Sequence, residues 1–205
     1  IYFMIKAIIF DFGNVICHFT NQILVEKIAK ISRKCEEKIF DLIYRQTDVV
    51  EKYESGLISS VEFYQKISKL CGINIPYFEL KRIYSEDKFT PVKGMEELVK
   101  KLKRNYKIGL LSNTSEWDWD YMVKSAPYIN GFESITKSYE ARAMKPKTKI
   151  FEDAVVKLGL KPEECVFTDD VKEYVAAAKS FGLRAYVFTT TDKLMKDLEK
   201  LGLKS

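Results

Sequence analysis

The sequence predicts an α/β protein, a parallel sheet wrapped by helices with a block of further helices inserted after the first strand. Three observations carry this. Short apolar runs of strand length recur along the chain, three of them ending in Asp or in Ser-Asn. Segments with apolar residues at helical spacing lie between them. Residues 17–89 break the alternation and read as helices only. Strands alternating with helices imply a parallel sheet with right-handed crossovers.

The first run is Ile5–Phe10, bounded by Asp11 and the turn pair Gly13-Asn14. A nearly continuous apolar run between turn signals suits a strand buried on both faces. The stretch Ile1–Ile5 reads as a lead into that strand. A second run is Lys107–Leu111, ended by Ser112-Asn113-Thr114. A third is Cys165–Thr168, ended by Asp169-Asp170. Arg184–Thr189 is a fourth, and Phe132–Thr136 a weaker fifth. Helical faces are carried by Met95, Leu98, Val99 and Leu102 within 94–104, and by Ile150, Phe151, Ala154, Val155 and Leu158 within 149–158. Val175, Ala178 and Phe181 do the same within 173–181. Gly159 and Gly182 stand where helices end in a left-handed glycine. In the inserted block, helices are expected over about 22–32, 36–45, 60–71 and 77–84. The expected division is therefore a core of 1–16 and 90–205 and a helical lobe of 17–89.

Composition narrows the function. The chain has 205 residues, with 34 Lys and Arg against 29 Asp and Glu, a net charge of +5. The lysines are scattered, as on solvated helix faces, so no nucleic-acid partner is expected. No apolar run approaches the roughly 20 residues of a membrane helix, and no secretion signal is legible, so a cytoplasmic protein away from membranes is expected. The single histidine, His18, excludes multi-histidine metal sites. Cys17, Cys35, Cys71 and Cys165 form no CxxC pair and read as buried free thiols.

In an open parallel sheet, ligands bind outside the carboxyl ends of the strands. Asp11, Ser112-Asn113 and Asp169-Asp170 fall at three such ends. Asp and Asn also favour strand-to-helix turns as caps. That explains one such cluster more easily than three. Two or three acidic oxygens with backbone carbonyls make a hard, oxygen-only site suited to magnesium. A carboxylate can act as a nucleophile, and a phosphoryl group brings about two negative charges at neutral pH. Lys145, held before Pro146, would complete the charge balance.

The order of an apolar strand with Asp11, a second with Ser112-Asn113-Thr114, then Lys145-Pro146, then Val166–Asp170 resembles the four motifs of the haloacid dehalogenase superfamily. Flanking segments extend the resemblance over nearly the whole chain. Phe10–Ile16 and Glu54–Ser59 are similar to the branch that holds sugar-phosphate phosphatases, notably those acting on glucose 1-phosphate. The resemblance implies a Rossmann-like core with an inserted α-helical cap. It implies a magnesium-dependent phosphatase acting on a small phosphorylated metabolite through an aspartyl-phosphate. Asp11 would be nucleophile and metal ligand, and the Gly13 carbonyl a second ligand. Ser112 and the Asn113 amide would bind the phosphoryl group. Lys145 would neutralise charge and orient Asp11. Asp170 and Asp169 would complete the metal site. Two rivals share the fold: a metal-free dehalogenase of 2-halo acids, and a non-catalytic binder of a phosphorylated ligand.

Two positions depart from the pattern. Most phosphatases of this superfamily carry an acid/base aspartate two residues after the nucleophile, where this chain has Gly13. General acid–base help is worth about 10²–10⁴-fold, so its loss predicts a preference for good leaving groups such as aryl, acyl or anomeric phosphates. Tyr174 stands where many relatives have Asp or Asn, and it is expected to turn toward the core. His18 reads as a linker residue more readily than as a proton donor. Trp117, Trp119 and Tyr121 read as packing between core and cap. Arg142 and Lys147 read as surface charges.

Overall fold

A computed structural model describes residues 4–203. Ile1–Phe3, part of the expected lead into the first strand, lie outside the described residues. In chain order the elements begin with β1 (Ala7–Phe10) and β2 (Cys17–Phe19). The helices α1 (Gln22–Ser32), α2 (Glu36–Phe40), α3 (Val49–Glu54), α4 (Ser60–Cys71) and α5 (Tyr77–Ser85) follow. Then come β3 (Phe89–Pro91), α6 (Met95–Leu102), β4 (Lys107–Ser112), α7 (Glu116–Ser125), β5 (Ser134–Lys137) and α8 (Ser138–Ala141). The chain continues through α9 (Thr148–Leu158), β6 (Cys165–Asp169), α10 (Lys172–Phe181), β7 (Arg184–Val187) and α11 (Thr191–Lys200).

Among the described residues β5-β4-β1-β6-β7 form one five-stranded sheet, and every pairing in it is parallel. β1 is central, and all four of its residues are fully buried. Its alternation feeds two cores. Ile8 and Phe10 pack with Met95, Leu98, Ile108 and Val166 on one face. Ala7 and Ile9 pack with Ile150, Phe151 and Phe167 on the other. This is the continuous apolar strand that a two-faced sheet requires. Gly159 and Gly182 close α9 and α10 with φ of 66° and 109°, as their positions predict.

The inserted block has its own core. Leu24, Ile28, Ile39, Ile43, Phe63, Ile67 and Leu80 cluster there, joined by Trp117 from α7. The chain enters and leaves this lobe through a two-stranded antiparallel ribbon, β2 with β3, in which His18 faces Thr90. The long helix expected over 36–45 changes pitch midway: α2 runs into a π-helical turn at Asp41–Arg45. The short helix α3 escaped the periodicity because six residues hold too little pattern. Helices α7 and α11 escaped it too. In α7 the acidic residues Glu116, Asp118 and Asp120 interrupt the apolar face, and Asp118 is itself buried. Cys17, Cys71 and Cys165 are buried free thiols, whereas Cys35 is exposed just before α2, which corrects the expectation for that residue. Among the described residues no helix is long and apolar enough to cross a membrane.

Candidate active site

Strand order places the site. From β1 the chain builds outward through β4 and β5, then returns to the other side through β6 and β7. The crevice outside the carboxyl ends at that reversal is where such sheets bind ligands. The register brings Phe10 level with Leu110 on one side and Thr168 on the other. Asp11, Ser112 and Asp169 therefore emerge together. The Asp11 N–H still donates to the Thr168 carbonyl at 2.9 Å, so the nucleophile candidate stands on a rigid strand end.

Behind the crevice lies a buried charge network. Lys145 Nζ is 2.8 Å from Asp11 Oδ1 and 2.6 Å from Asp169 Oδ2, with its side chain 2% exposed. Burial alone would pull this lysine down, but Asp11 and Asp169 outweigh it and hold it above its ordinary range. The lysine is anchored through its backbone. Asn113 Oδ1 accepts from the Lys145 N–H at 2.8 Å, and Asn113 Nδ2 donates to the Lys145 carbonyl at 3.2 Å. The Asn113 side chain thus positions Lys145, a part the sequence did not show. The Lys145–Pro146 peptide is cis.

Asp169 is fully buried. Its Oδ1 accepts from the Val171 N–H at 2.8 Å, while Oδ2 meets Lys145. Asp170 reaches into the cavity, and its Oδ2 accepts from Asn14 Nδ2 at 2.9 Å. Asn14 holds a left-handed backbone, φ 54°, a conformation asparagine tolerates. The sequence showed Asn14 only as a turn former. Ser112 Oγ has a long 3.4 Å contact to the Asn113 carbonyl, which leaves its hydroxyl available to a ligand.

The donor set fits a hard divalent cation. Carboxylate oxygens of Asp11, Asp169 and Asp170 lie within 4.8 Å of one another. Asp11 and Asp169 share one buried ammonium, and Asp170 adds a third negative charge beside them. Burial pushes the Asp11 carboxyl up to about 7, with Lys145 opposing that rise and Asp169 adding to it. A second cation would offset the excess negative charge, and an all-oxygen donor set is the kind that magnesium takes.

A cavity of about 370 Å³ opens over this network. Asp11, Gly13, Ser112, Asn113, Lys145 and Asp170 line its floor, with Asp169 beneath. Every site residue expected from the sequence is thus brought together. The other wall was not anticipated. Glu54 at the end of α3, Lys88 before β3, and Asp118 on α7 line it together with Phe19 and Phe89. Lys88 Nζ pairs with Asp118 Oδ2 at 2.8 Å, lies 4.6 Å from the centre of the Tyr84 ring, and is nearly fully buried. Burial pushes Glu54 up to about 7; Lys88 works against that shift and Asp118 adds to it. Only Glu54 carried a signal, inside the segment Glu54–Ser59.

Tyr174 lines the cavity, with Lys145 Nζ 5.1 Å from its ring centre, so it does not turn to the core. A cation held over an aromatic face explains that placement. His18 is exposed on the ribbon and does not line the cavity. Trp117 packs against Tyr53, Phe63, Tyr77 and Tyr84, as expected of a residue joining core and cap.

The chain belongs to the haloacid dehalogenase-like hydrolase family, whose model matches residues 5–202. It is 26% identical over 191 residues to a D-ribitol-5-phosphate phosphatase of Bacteroides thetaiotaomicron, covering 89% of this chain and 91% of that protein. It is also similar to a solved haloacid dehalogenase family enzyme of the same organism in complex with magnesium and inorganic phosphate. That match has a TM-score of 0.80 and 26% identity, over 91% of this chain and 96% of the other. The L-2-haloacid dehalogenase of Xanthobacter autotrophicus shares the fold, with a TM-score of 0.66 and 18% identity over 98% of this chain and 85% of that one.

Proposed function

We propose that this hydrolase is a magnesium-dependent phosphatase that cleaves a small phosphate monoester, of the size of a sugar phosphate, through an aspartyl-phosphate on Asp11. The observation that carries the reading is the shared position of Asp11, Lys145, Ser112 and the acidic pair Asp169-Asp170 at one strand edge. The similarity to a ribitol-5-phosphate phosphatase and to a magnesium–phosphate complex supports it.

In this reading Asp11, Asp170, Asp169 and the Gly13 carbonyl would hold the magnesium ion. The bound ion supplies positive charge that lets a dianionic phosphoryl group approach the carboxylates. Ser112 Oγ and the Asn113 N–H donate to phosphoryl oxygens. Lys145 opposes the rise that burial imposes on Asp11 and aims it, through the contact at 2.8 Å. Asp11 attacks phosphorus, the alcohol leaves, and water then hydrolyses the acyl phosphate. We read the helical lobe of 17–89 as a cap that closes the cavity against bulk water. A metal-free dehalogenase gains nothing from three clustered acids facing a carboxylate substrate, so the acidic cluster weighs against that rival. The intact Asp11–Lys145 pair weighs against a purely binding role.

Phosphate release from an aryl phosphate, with magnesium and with chelator, tests this. Release that needs magnesium and disappears in Asp11→Asn is the expected result. Equal release with chelator, or turnover of a 2-halo acid without metal, overturns it.

A further inference from the structure

Gly13 leaves the sheet side of the cavity without the proton donor that an alkoxide leaving group needs. The lobe side supplies a carboxyl. Glu54 is the last residue of α3 and lines the cavity that Asp11 and Ser112 share. Its carboxylate makes no hydrogen bond or ion pair with any described residue, whereas Asp118 and Lys88 beside it are fully engaged with each other and with Ser85.

The backbone under Glu54 is pinned to the core. The Glu54 carbonyl accepts from Ser138 Oγ at 2.6 Å, and the same hydroxyl accepts from the Thr114 N–H at 2.9 Å, two residues past Ser112. Gly56 turns the chain immediately afterwards with φ 67°, so close to the core that a Cβ would lie 2.1 Å from the Tyr139 carbonyl. Tyr53, the preceding residue, receives the Trp117 N–H at 3.2 Å. A free carboxyl on a segment fixed this firmly to the loop after β4 is placed to serve the reaction.

We propose, resting on the phosphatase reading, that Glu54 is the general acid and base of this enzyme. In the first step Asp11 Oδ forms a bond to phosphorus and the bond from phosphorus to the leaving oxygen breaks. The carboxylic proton of Glu54 goes to that oxygen, releasing the alcohol. In the second step the Glu54 carboxylate takes a proton from water. The water oxygen bonds to phosphorus and the bond from phosphorus to Asp11 breaks, which restores both carboxyls and frees phosphate. Burial favours the protonated form needed first. The charged and titratable groups facing Glu54 are Lys88, Asp118, Glu51 and Lys145, with the hydroxyls of Tyr44 and Tyr84 in the same field.

The test compares wild type with Glu54→Gln, which keeps the shape of the side chain, on alkyl and aryl phosphates of graded leaving-group pKa. Wild type is expected to show a shallow dependence on leaving group, in place of the preference for good leaving groups that Gly13 alone predicts. Glu54→Gln is expected to lose on the order of 10²–10⁴-fold in kcat/KM on alkyl phosphates and far less on aryl phosphates. Intact mass of the acid-quenched variant turning over an aryl phosphate should show the phosphorylated chain accumulating, because the second step has lost its base. Glu54→Asp should recover part of the alkyl activity. An unchanged slope with no trapped intermediate in Glu54→Gln overturns the inference. If wild type works and needs Asp11 while Glu54→Gln matches it, this inference alone falls. If wild type releases no phosphate, the phosphatase reading falls and takes this one with it.

Discussion

The two walls of the cavity pair their buried charges differently. On the sheet side the carboxylates of Asp11 and Asp169 converge on Lys145 with Asp170 close by, and the network is held by strand ends, the Asn113 clamp and the Val171 N–H. On the lobe side Lys88 and Asp118 neutralise each other, which leaves Glu54 with no hydrogen bond or ion pair among the described residues and shifted by burial toward its neutral form. A group in a low-dielectric site either finds an opposite charge or gives up its own. The sheet wall takes the first course, with Lys145 opposing the rise that burial still imposes on Asp11, and gains a site that asks for a cation. The lobe wall takes the second and gains a carboxyl that carries a proton near neutral pH.

The comparison breaks most readily at Lys145. Lys145→Met leaves Asp11 and Asp169 buried with no ammonium between them. Removing one partner of a buried pair costs about 3–5 kcal/mol, so a large drop in unfolding free energy at neutral pH is expected in chelator, together with loss of phosphatase activity. Denaturant titration measures the first. A variant as stable as wild type would show that the network is solvated.

Gly56 is where the lobe wall meets the core. Gly56→Ala places a Cβ against the Tyr139 carbonyl at a left-handed backbone position. The backbone strain alone is worth about 1–2 kcal/mol, and the close approach adds to it. A lower thermal midpoint is expected, with alkyl phosphate turnover falling more than aryl turnover as Glu54 is displaced. Equal losses on both substrates would mean that the turn does not position Glu54.

The smallest effect sharpens the contrast. Burial pushes Glu54 up to about 7 from an ordinary 4.5. The folded state therefore binds more protons than the unfolded state in that window, and stability falls as pH rises through it. Asp11 contributes in the same direction. Unfolding measured in chelator at about pH 5 and pH 8 should show this decline, and Glu54→Gln should make it shallower. An unchanged slope would place the Glu54 carboxyl in solvent.

Much of this molecule was legible before its structure. The apolar runs at Ile5–Phe10, Lys107–Leu111 and Cys165–Thr168 became β1, β4 and β6, because a strand buried on both faces has to be apolar throughout. Polar residues just past such runs fall at the carboxyl edge of a parallel sheet, so Asp11, Ser112, Asn113, Asp169 and Asp170 were readable as one site, and Lys145 joined them through the motif order. Short or polar-interrupted helices such as α3 and α7 were not readable, because periodicity needs length.

The sequence by itself determined the two-faced sheet, the helical insertion and the acidic strand ends, since each depends on local pattern. Only the tertiary structure decided what faces those acids. Asn14 meets Asp170 across 156 positions of sequence, Lys88 meets Asp118 across 30, and the Glu54 backbone meets Ser138 across 84. None of these pairings has a local period to announce it. Burial and partner set the protonation of a side chain, and both arise only when distant segments pack.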